Sequence, residues 1–304
     1  MRATQSHLSP KGSTYFSQCV PTSRGKGNID LTLKLTSKML RAESASGQAV
    51  ILKLTDEHEV DVLRHLHRSD YTMQTRIIPL LDVLDVVGGR LMVLPLRTPL
   101  LHFLDLEASV DDVAELALQF LEGVRYLQDS SVAHLDLKPD NIVVQRDAKL
   151  TVDLAIIDFD IAVFADAEPI ISGLTGTVGW CAPEVVQGNR YDPLAADRWS
   201  CGRVLTLFAR YMGRSRLQEL IVTLAQQLQE PNPSKRPPIP ATTGYRGLET
   251  KRMLDLSSGA PTASRPRRSG RPLSKGPQDR ALGLRRAHSQ RVFGLGGKGE
   301  FSRV

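Results

Sequence analysis

The sequence predicts an α+β fold of two unequal lobes, a small antiparallel-sheet lobe over about residues 29–96 and a mainly helical lobe over about 97–240. Three observations carry this expectation. Short apolar stretches with period-2 alternation, separated by turn residues, fill the first part. From Ser109 the apolar period becomes that of a helix. The chain, 304 residues with 41% hydrophobic and 24% charged residues, is long and apolar enough to bury a core of this size.

The elements follow in order. Met1 to Lys26 has four basic residues, no acidic one, and many Ser, Thr and Gly, so residues 1–28 are expected to form a flexible N-terminal arm. LTLKLT, with Leu31, Leu33 and Leu35 alternating, and AVILKL, ending just after Lys53, read as strands separated by a polar turn at Ala45 to Gly47. A charged helix follows at about Asp56 to His67, with Val60, Leu63 and Leu66 on one face. Ile77 to Val87 and Arg90 to Leu96 read as two more strands, joined through Gly88 and Gly89.

In the second part, Val113, Leu116, Ala117, Phe120, Leu121, Val124 and Leu127 recur at helical spacing. Ser109 with Asp112 three residues on supplies a capping arrangement at the start of that helix. Ile142 to Val144 and Ala155 to Ile157 read as short strands. Helices are expected at Asp197 to Tyr211 and Arg216 to Gln229, the latter with Leu217, Leu220, Ile221, Leu224 and Leu228 in one stripe.

Charge divides the chain. Residues 241–304 hold 14 Lys and Arg against 4 Asp and Glu, so the tail carries +10 of a net charge of +6, and the body is near neutral at −4. Ser257 to Ser289 is rich in Ser, Gly, Pro and Arg and has no apolar period, so residues 241–304 are expected to be a basic, mostly disordered tail. Such a tail is available to an acidic partner or to nucleic acid, or stands solvated without a dedicated partner. Few aromatics accompany the charge, which disfavours a pure nucleic-acid-binding protein. Cys19, Cys181 and Cys201 are odd in number and widely spaced, which excludes a disulfide framework. No run approaches the roughly 18 apolar residues of a membrane span, and MRATQSHLSPKGST has no signal-type apolar core. An intracellular location, cytoplasm and/or nucleus, is the expectation.

The chemistry concentrates in three motifs. HLDLKPDNIVV spans His134 to Val144, IIDF spans Ile156 to Phe159, and CAPEV contains Ala182, Pro183 and Glu184. In order and spacing these resemble the catalytic loop, the Asp-Phe-Gly element and the Ala-Pro-Glu element of eukaryotic protein kinases of the serine/threonine type. The resemblance spans roughly Leu31 to Pro237 and implies a bilobal protein-kinase-like fold that uses ATP and Mg²⁺ to phosphorylate a protein substrate.

The resemblance implies a role for each matched residue. Asp136 would accept or orient the substrate hydroxyl proton, and Lys138 would offer positive charge to the transferring phosphoryl group. Asn141 and Asp158 would give oxygen ligands to Mg²⁺. Lys53 would hold the nucleotide phosphates, paired with Glu59 or, as a fallback, Glu57; only six residues separate Lys53 from Glu59. Leu94 would stand as the gatekeeper beside the adenine. Pro95 and Leu96 would form the hinge, and Ala49, Leu100 and Val144 would add apolar cover. Thr177 would position the substrate beside Asp136 and Lys138. His134, Asp197, Glu184 and Arg236 would be structural: Asp197 capping the catalytic loop, Arg236 pairing with Glu184.

Four departures stand against the family pattern. RGKGNID offers Gly25 and Gly27, but Asp30 falls where a third phosphate-loop glycine belongs, leaving the cover to strands from Leu31 to Arg41. Asp160 replaces the glycine of Asp-Phe-Gly. Leu135 replaces the arginine that commonly receives an activation-segment phosphate, so Ser172, Thr175 and Thr177 lose that partner. The C-terminal lobe is trimmed, with 39 positions between Asp197 and Arg236. An alternative therefore stands beside the active serine/threonine kinase: a pseudokinase or weakly active kinase-like scaffold. A small-molecule kinase is a third reading.

Overall fold

A computed structural model of the chain describes residues 7–8, 14–21, 28–34, 39–44, 46–68, 75–86 and 89–247, with side chains described from residue 39 onward. The described residues fall within one compact unit. Gly25, Gly27, Gly88 and the tail beyond residue 247 lie outside the described residues.

The first lobe is a seven-stranded antiparallel sheet built from β1 (His7–Leu8), β2 (Thr14–Pro21), β3 (Asn28–Lys34), β4 (Met39–Ser44), β5 (Ala49–Thr55), β6 (Asp82–Val86) and β7 (Gly89–Pro95), in the order β1-β2-β3-β4-β5-β7-β6. Two expectations are corrected here. Within the stretch read as a flexible arm, Thr14–Pro21 pairs with Asn28–Lys34 from Tyr15↔Lys34 to Pro21↔Asn28. The segment TYFSQCVP is rich in the aromatic and β-branched types that favour strands, a signal that its flanking Ser, Thr and Gly obscured. Second, a separate strand, β4, precedes the turn at Gly47. Leu40 and Ala42 face inward and are partly buried, while Met39, Arg41 and Glu43 face out, so its one-sided pattern is weak in sequence.

Helix α1 (Glu57–Leu66) follows β5 directly, because Asp56 caps it and accepts the N–H of Glu59 at 3.3 Å. Val60, Leu63 and Leu66 are fully buried, as their spacing predicts. Ile77 forms a single bridge with Ile156 and begins no strand.

The second lobe contains α2 (Leu100–Leu106), α3 (Val110–Asp129), α4 (Pro183–Val186), α5 (Pro193–Tyr211) and α6 (Arg216–Leu228). The short strands β8 (Thr98–Pro99), β9 (Val132–Ala133), β10 (Ile142–Arg146), β11 (Val152–Ile156), β12 (Val163–Phe164), β13 (Ile171–Ser172) and β14 (Arg190–Tyr191) pair in three small sheets, β11-β10-β8, β12-β9 and β13-β14. The expected capping box opens α3: Ser109 Oγ accepts the N–H of Asp112 at 3.1 Å, and Asp112 Oδ2 accepts the N–H of Ser109 at 2.8 Å. Phe120 on α3 meets Phe208 on α5, ring centroids 6.0 Å apart, at the centre of the core. Of the expected α6 stripe, Leu217, Ile221, Leu224 and Leu228 are buried and Leu220 is half-buried.

The packed chain runs past residue 240, where the sequence suggests the tail begins. Residues 243–247 form a helical turn against α3. Thr242 Oγ1 donates to Glu122 at 2.9 Å, and Arg246 bridges Glu115 and Glu122, each at 2.7 Å. These are long-range polar contacts from a segment with no apolar period, so pattern reading misses them. No described helix is long and apolar enough to cross a membrane.

Candidate active site

The loop after β9 is shaped from beneath by α5. Asp197, buried in that helix, accepts the backbone N–H of His134 at 2.6 Å and of Leu135 at 2.8 Å. Leu135 lies in the left-handed region at φ 64°, a costly conformation for a non-glycine residue. Its side chain is held in an apolar cluster with Ala133, Cys181, Ala182, Val185, Tyr191 and Ala196. Leu135 thus ties the loop after β9 to the segment around Cys181 and Ala182 by apolar contact.

His134 is fully buried. Its Nδ1 accepts the N–H of Asp136 at 3.2 Å and its Nε2 donates to the carbonyl of Ile157 at 2.9 Å. Only the neutral Nε2–H tautomer satisfies both bonds. Burial also holds its pKa below the usual histidine value, against the opposing pull of the Ile157 carbonyl and the nearby aspartates. Both ring nitrogens are thus engaged by backbone groups, of the loop itself and of the segment at Ile157.

The Asp136 carboxylate is gripped on both oxygens. Thr177 Oγ1 donates to Oδ1 at 2.7 Å, while Lys138 Nζ at 2.6 Å and Asn141 Nδ2 at 3.0 Å donate to Oδ2. Lys138 also donates to Thr177 Oγ1 at 2.7 Å. These four side chains come from the catalytic loop and from the segment before Ala-Pro-Glu, and they form one closed network.

Across the cleft, Lys53 on β5 donates to Glu59 Oε1 at 2.7 Å and to Asp158. Glu59, 1% exposed, also accepts from Thr55 Oγ1 at 2.7 Å and from the N–H of Phe159 at 3.0 Å. Burial pulls the Lys53 pKa down, but the Glu59 charge and the bonds to Asp158 and Glu59 outweigh it and leave it above the usual lysine value. Glu57, the fallback partner, is exposed and pairs with Arg90 at 2.8 Å.

Asn141 and Asp158 lie on neighbouring segments, because Ile142 pairs with Ile156 and the N–H of Ile157 donates to the carbonyl of Asn141 at 3.0 Å. The Asn141 amide nitrogen is turned to Asp136, so its amide oxygen is left for another ligand. An amide oxygen and a carboxylate are the hard donors that Mg²⁺ takes, one or two per site alongside phosphate and water. Asp160 is exposed and outside the left-handed region, so its Cβ is unstrained where the family has glycine.

Leu94 is buried opposite Ile51, and Val144 and Leu100 are fully buried. The N–H of Leu96 donates to the carbonyl of Ala49 at 3.2 Å and is engaged in the sheet. Pro95 has none. Ile51 shares a strand face with Lys53 and escaped the sequence reading. Gly176 did too: at φ +81°, a Cβ there would lie 2.2 Å from the carbonyl of Leu135. Its place just before Thr177 was the available signal.

Beneath the site, Arg236 grips Glu184 with two bonds, at 2.6 and 2.8 Å, and also donates to the carbonyls of Ala195 at 2.9 Å and Glu230 at 2.8 Å. Its guanidinium stacks on Trp199 at 5.1 Å.

The sequence profile of the family described as "Protein kinase domain" matches residues 36–240, about two thirds of the chain. The chain belongs to the eukaryotic protein kinase superfamily. Its α+β, two-lobed architecture is that of a kinase domain. This kinase is 42% identical over 110 residues to the serine/threonine-protein kinase ppk24, mitochondrial, of Schizosaccharomyces pombe, covering 34% of this chain and 23% of the relative. It is 36% identical over 94 residues to the human calcium/calmodulin-dependent protein kinase type IV, covering 31% and 20%. It is 30% identical over 173 residues to the mouse mitogen-activated protein kinase 13, covering 53% and 44%. The matches thus span less than half the length of these curated relatives.

Proposed function

We propose that this kinase transfers the γ-phosphoryl group of ATP, in the presence of Mg²⁺, to a serine or threonine hydroxyl of a protein. The observation that carries the reading is the closed network on Asp136, facing a lysine that Glu59 and Asp158 hold in the cleft.

Asn141 and Asp158 would hold Mg²⁺, which supplies charge neutralisation at the phosphates. The remaining roles fall to side chains of this chain. Asp136 orients the incoming hydroxyl and takes its proton. Lys138 lies within reach of both Asp136 and Thr177 and places positive charge beside the transfer path. Thr177 fixes the Asp136 rotamer through Oδ1. Lys53, locked by Glu59, binds phosphate oxygens on the opposite wall.

One observation favours the scaffold reading. The connection between β3 and β4, residues 35–38, reads Leu-Thr-Ser-Lys and has no glycine, so the small residues that let phosphate approach the backbone N–H groups closely are absent from its sequence. The basic tail is proposed to serve contact with an acidic partner or nucleic acid, in the cytoplasm and/or nucleus.

The test is transfer of radiolabelled γ-phosphate to peptides that differ only in carrying Ser, Thr or Tyr, with Mg²⁺ or with EDTA, by the full chain and by Asp136→Asn. Mg²⁺-dependent labelling of Ser and Thr peptides, lost in the variant, is the expected result. Nucleotide binding with no labelling above the variant's background would establish the scaffold instead.

A further inference from the structure

Between α5 and α6 the chain leaves a groove that the phosphoryl-transfer reading does not use. The two helices are joined by Met212–Ser215 and pack closely: Gln218 Nε2 donates to the carbonyl of Ala209 at 3.3 Å, and Gln229 Nε2 donates to Thr206 Oγ1 at 2.9 Å. On their outer side lies a groove of about 570 Å³. Ala209, Met212 and half-buried Val222 form an apolar floor, and exposed Arg210 and Arg214 stand at its rim.

The charge at this rim is one-sided. Neither Arg210 nor Arg214 has a carboxylate partner among the described residues. Arg203, two turns before Arg210 on α5, lies over the Trp180 ring at 5.9 Å, and Arg216 pairs with Glu219 at 3.0 Å. Helix stability accounts for part of this pattern only. Arg210 sits in the last turn of α5, where the helix dipole favours a cation. Arg214 and Arg216 flank Ser215, the N-cap of α6, where the dipole disfavours one. Arg214 therefore raises the local positive potential with no return from the fold.

We propose that this groove docks an acidic segment of a partner protein, one aliphatic side chain seated on Ala209, Met212 and Val222 and flanking carboxylates on Arg210 and Arg214. The paired features select this occupant. An apolar floor between two guanidinium groups matches an aliphatic residue between acidic ones. No aromatic side chain lines the groove to stack a base, and a concave floor offers no protruding apolar wedge to a bilayer.

The probe is a fluorescent peptide, Glu-Asp-Glu-Leu-Glu-Asp-Glu, with photo-leucine at the centre, added to the full chain at physiological salt. Polarisation reads affinity, and the mapped cross-link locates the leucine, which separates the groove from the basic tail. Competitors are the Leu→Ser peptide, a single-stranded oligonucleotide and phosphatidylserine vesicles. The expected result is cross-linking within residues 206–226. It should fall at least tenfold in Arg210→Glu/Arg214→Glu and in Val222→Asp, persist in Arg125→Glu on α3, and be displaced poorly by the Leu→Ser peptide. Thermal midpoints confirm that each variant folds. Cross-links confined to residues beyond 247, unchanged yield in the double variant, or displacement by the oligonucleotide or vesicles as effective as by unlabelled peptide would overturn the proposal. Because the readout is binding at α5 and α6, its outcome is independent of whether the chain transfers phosphate.

Discussion

Lys53 donates to Glu59 at 2.7 Å, although only a strand end and one capping residue separate β5 from α1. The short connection works because Thr55 and Asp56 both bond to Glu59. Thr55 ends the strand and bonds Glu59 Oε2, while Asp56 caps the helix that carries Glu59. Strand, helix and the segment after Asp158 are thereby tied through one carboxylate.

Replacing that carboxylate should release all three. Glu59→Gln is expected to lower phosphoryl transfer by about 100-fold, in line with loss of a preorganised charge contact. Lys53→Met should do the same, and nucleotide affinity should fall in both. Steady-state kinetics with ATP varied checks this, and unaltered kinetics in Glu59→Gln would assign the pair to stability alone.

The Arg236–Glu184 pair is a structural clamp. Arg236 has a fully buried side chain and Glu184 is 11% exposed, so removing one partner strands a charge. Glu184→Ala should destabilise the fold by about 3–5 kcal/mol, measured by chemical denaturation. Arg236→Lys should also lose stability, because one ammonium cannot reproduce two parallel bonds and stack on Trp199.

Gly176 tests how closely the activation segment must lie on the catalytic loop. Gly176→Ala places a Cβ into the carbonyl of Leu135, and relief of that clash moves Thr177 away from Asp136. Activity should fall at least tenfold. Gly188→Ala is the matched control, since φ there is +69° but nothing lies within 4 Å of the added carbon. It should cost about 1 kcal/mol of stability and leave turnover intact.

Stability should depend on pH through Asp197. Burial raises its pKa from 3.8 to about 7, against the pull of the His134 and Leu135 N–H groups. The folded state therefore holds a proton that the unfolded state has released, and the contribution is full below about pH 4 and lost as pH rises through about 7. His134 acts in the opposite sense: its lowered pKa favours the fold above its ordinary value of 6.5 and costs stability as pH falls below it. The difference in denaturation midpoint between wild type and Asp197→Asn isolates the aspartate. Wild-type stability should fall relative to the variant between pH 4 and 7 and then level off; a difference constant across that range would contradict the assignment.

Legibility in the sequence followed the range of the interaction. The α3 capping box and the stripe on α1 are local patterns, and each stands where Ser109 and Val60 predict. The Glu59 pairing was readable through the family resemblance. Strand β4 was hidden because half of its side chains face solvent, and Gly176 because its requirement arises from a backbone carbonyl 41 positions earlier, at Leu135. The packing of residues 241–247 rests on Glu115 and Glu122, more than a hundred positions away, which no window along the chain contains.

The most direct measurement is single-turnover phosphate transfer by the full chain, with nucleotide affinity recorded in parallel, for wild type and Asp136→Asn. The account predicts nucleotide affinity within a few-fold of wild type and a transfer rate at least about 100-fold lower in the variant. Equal transfer rates in the two proteins would contradict it.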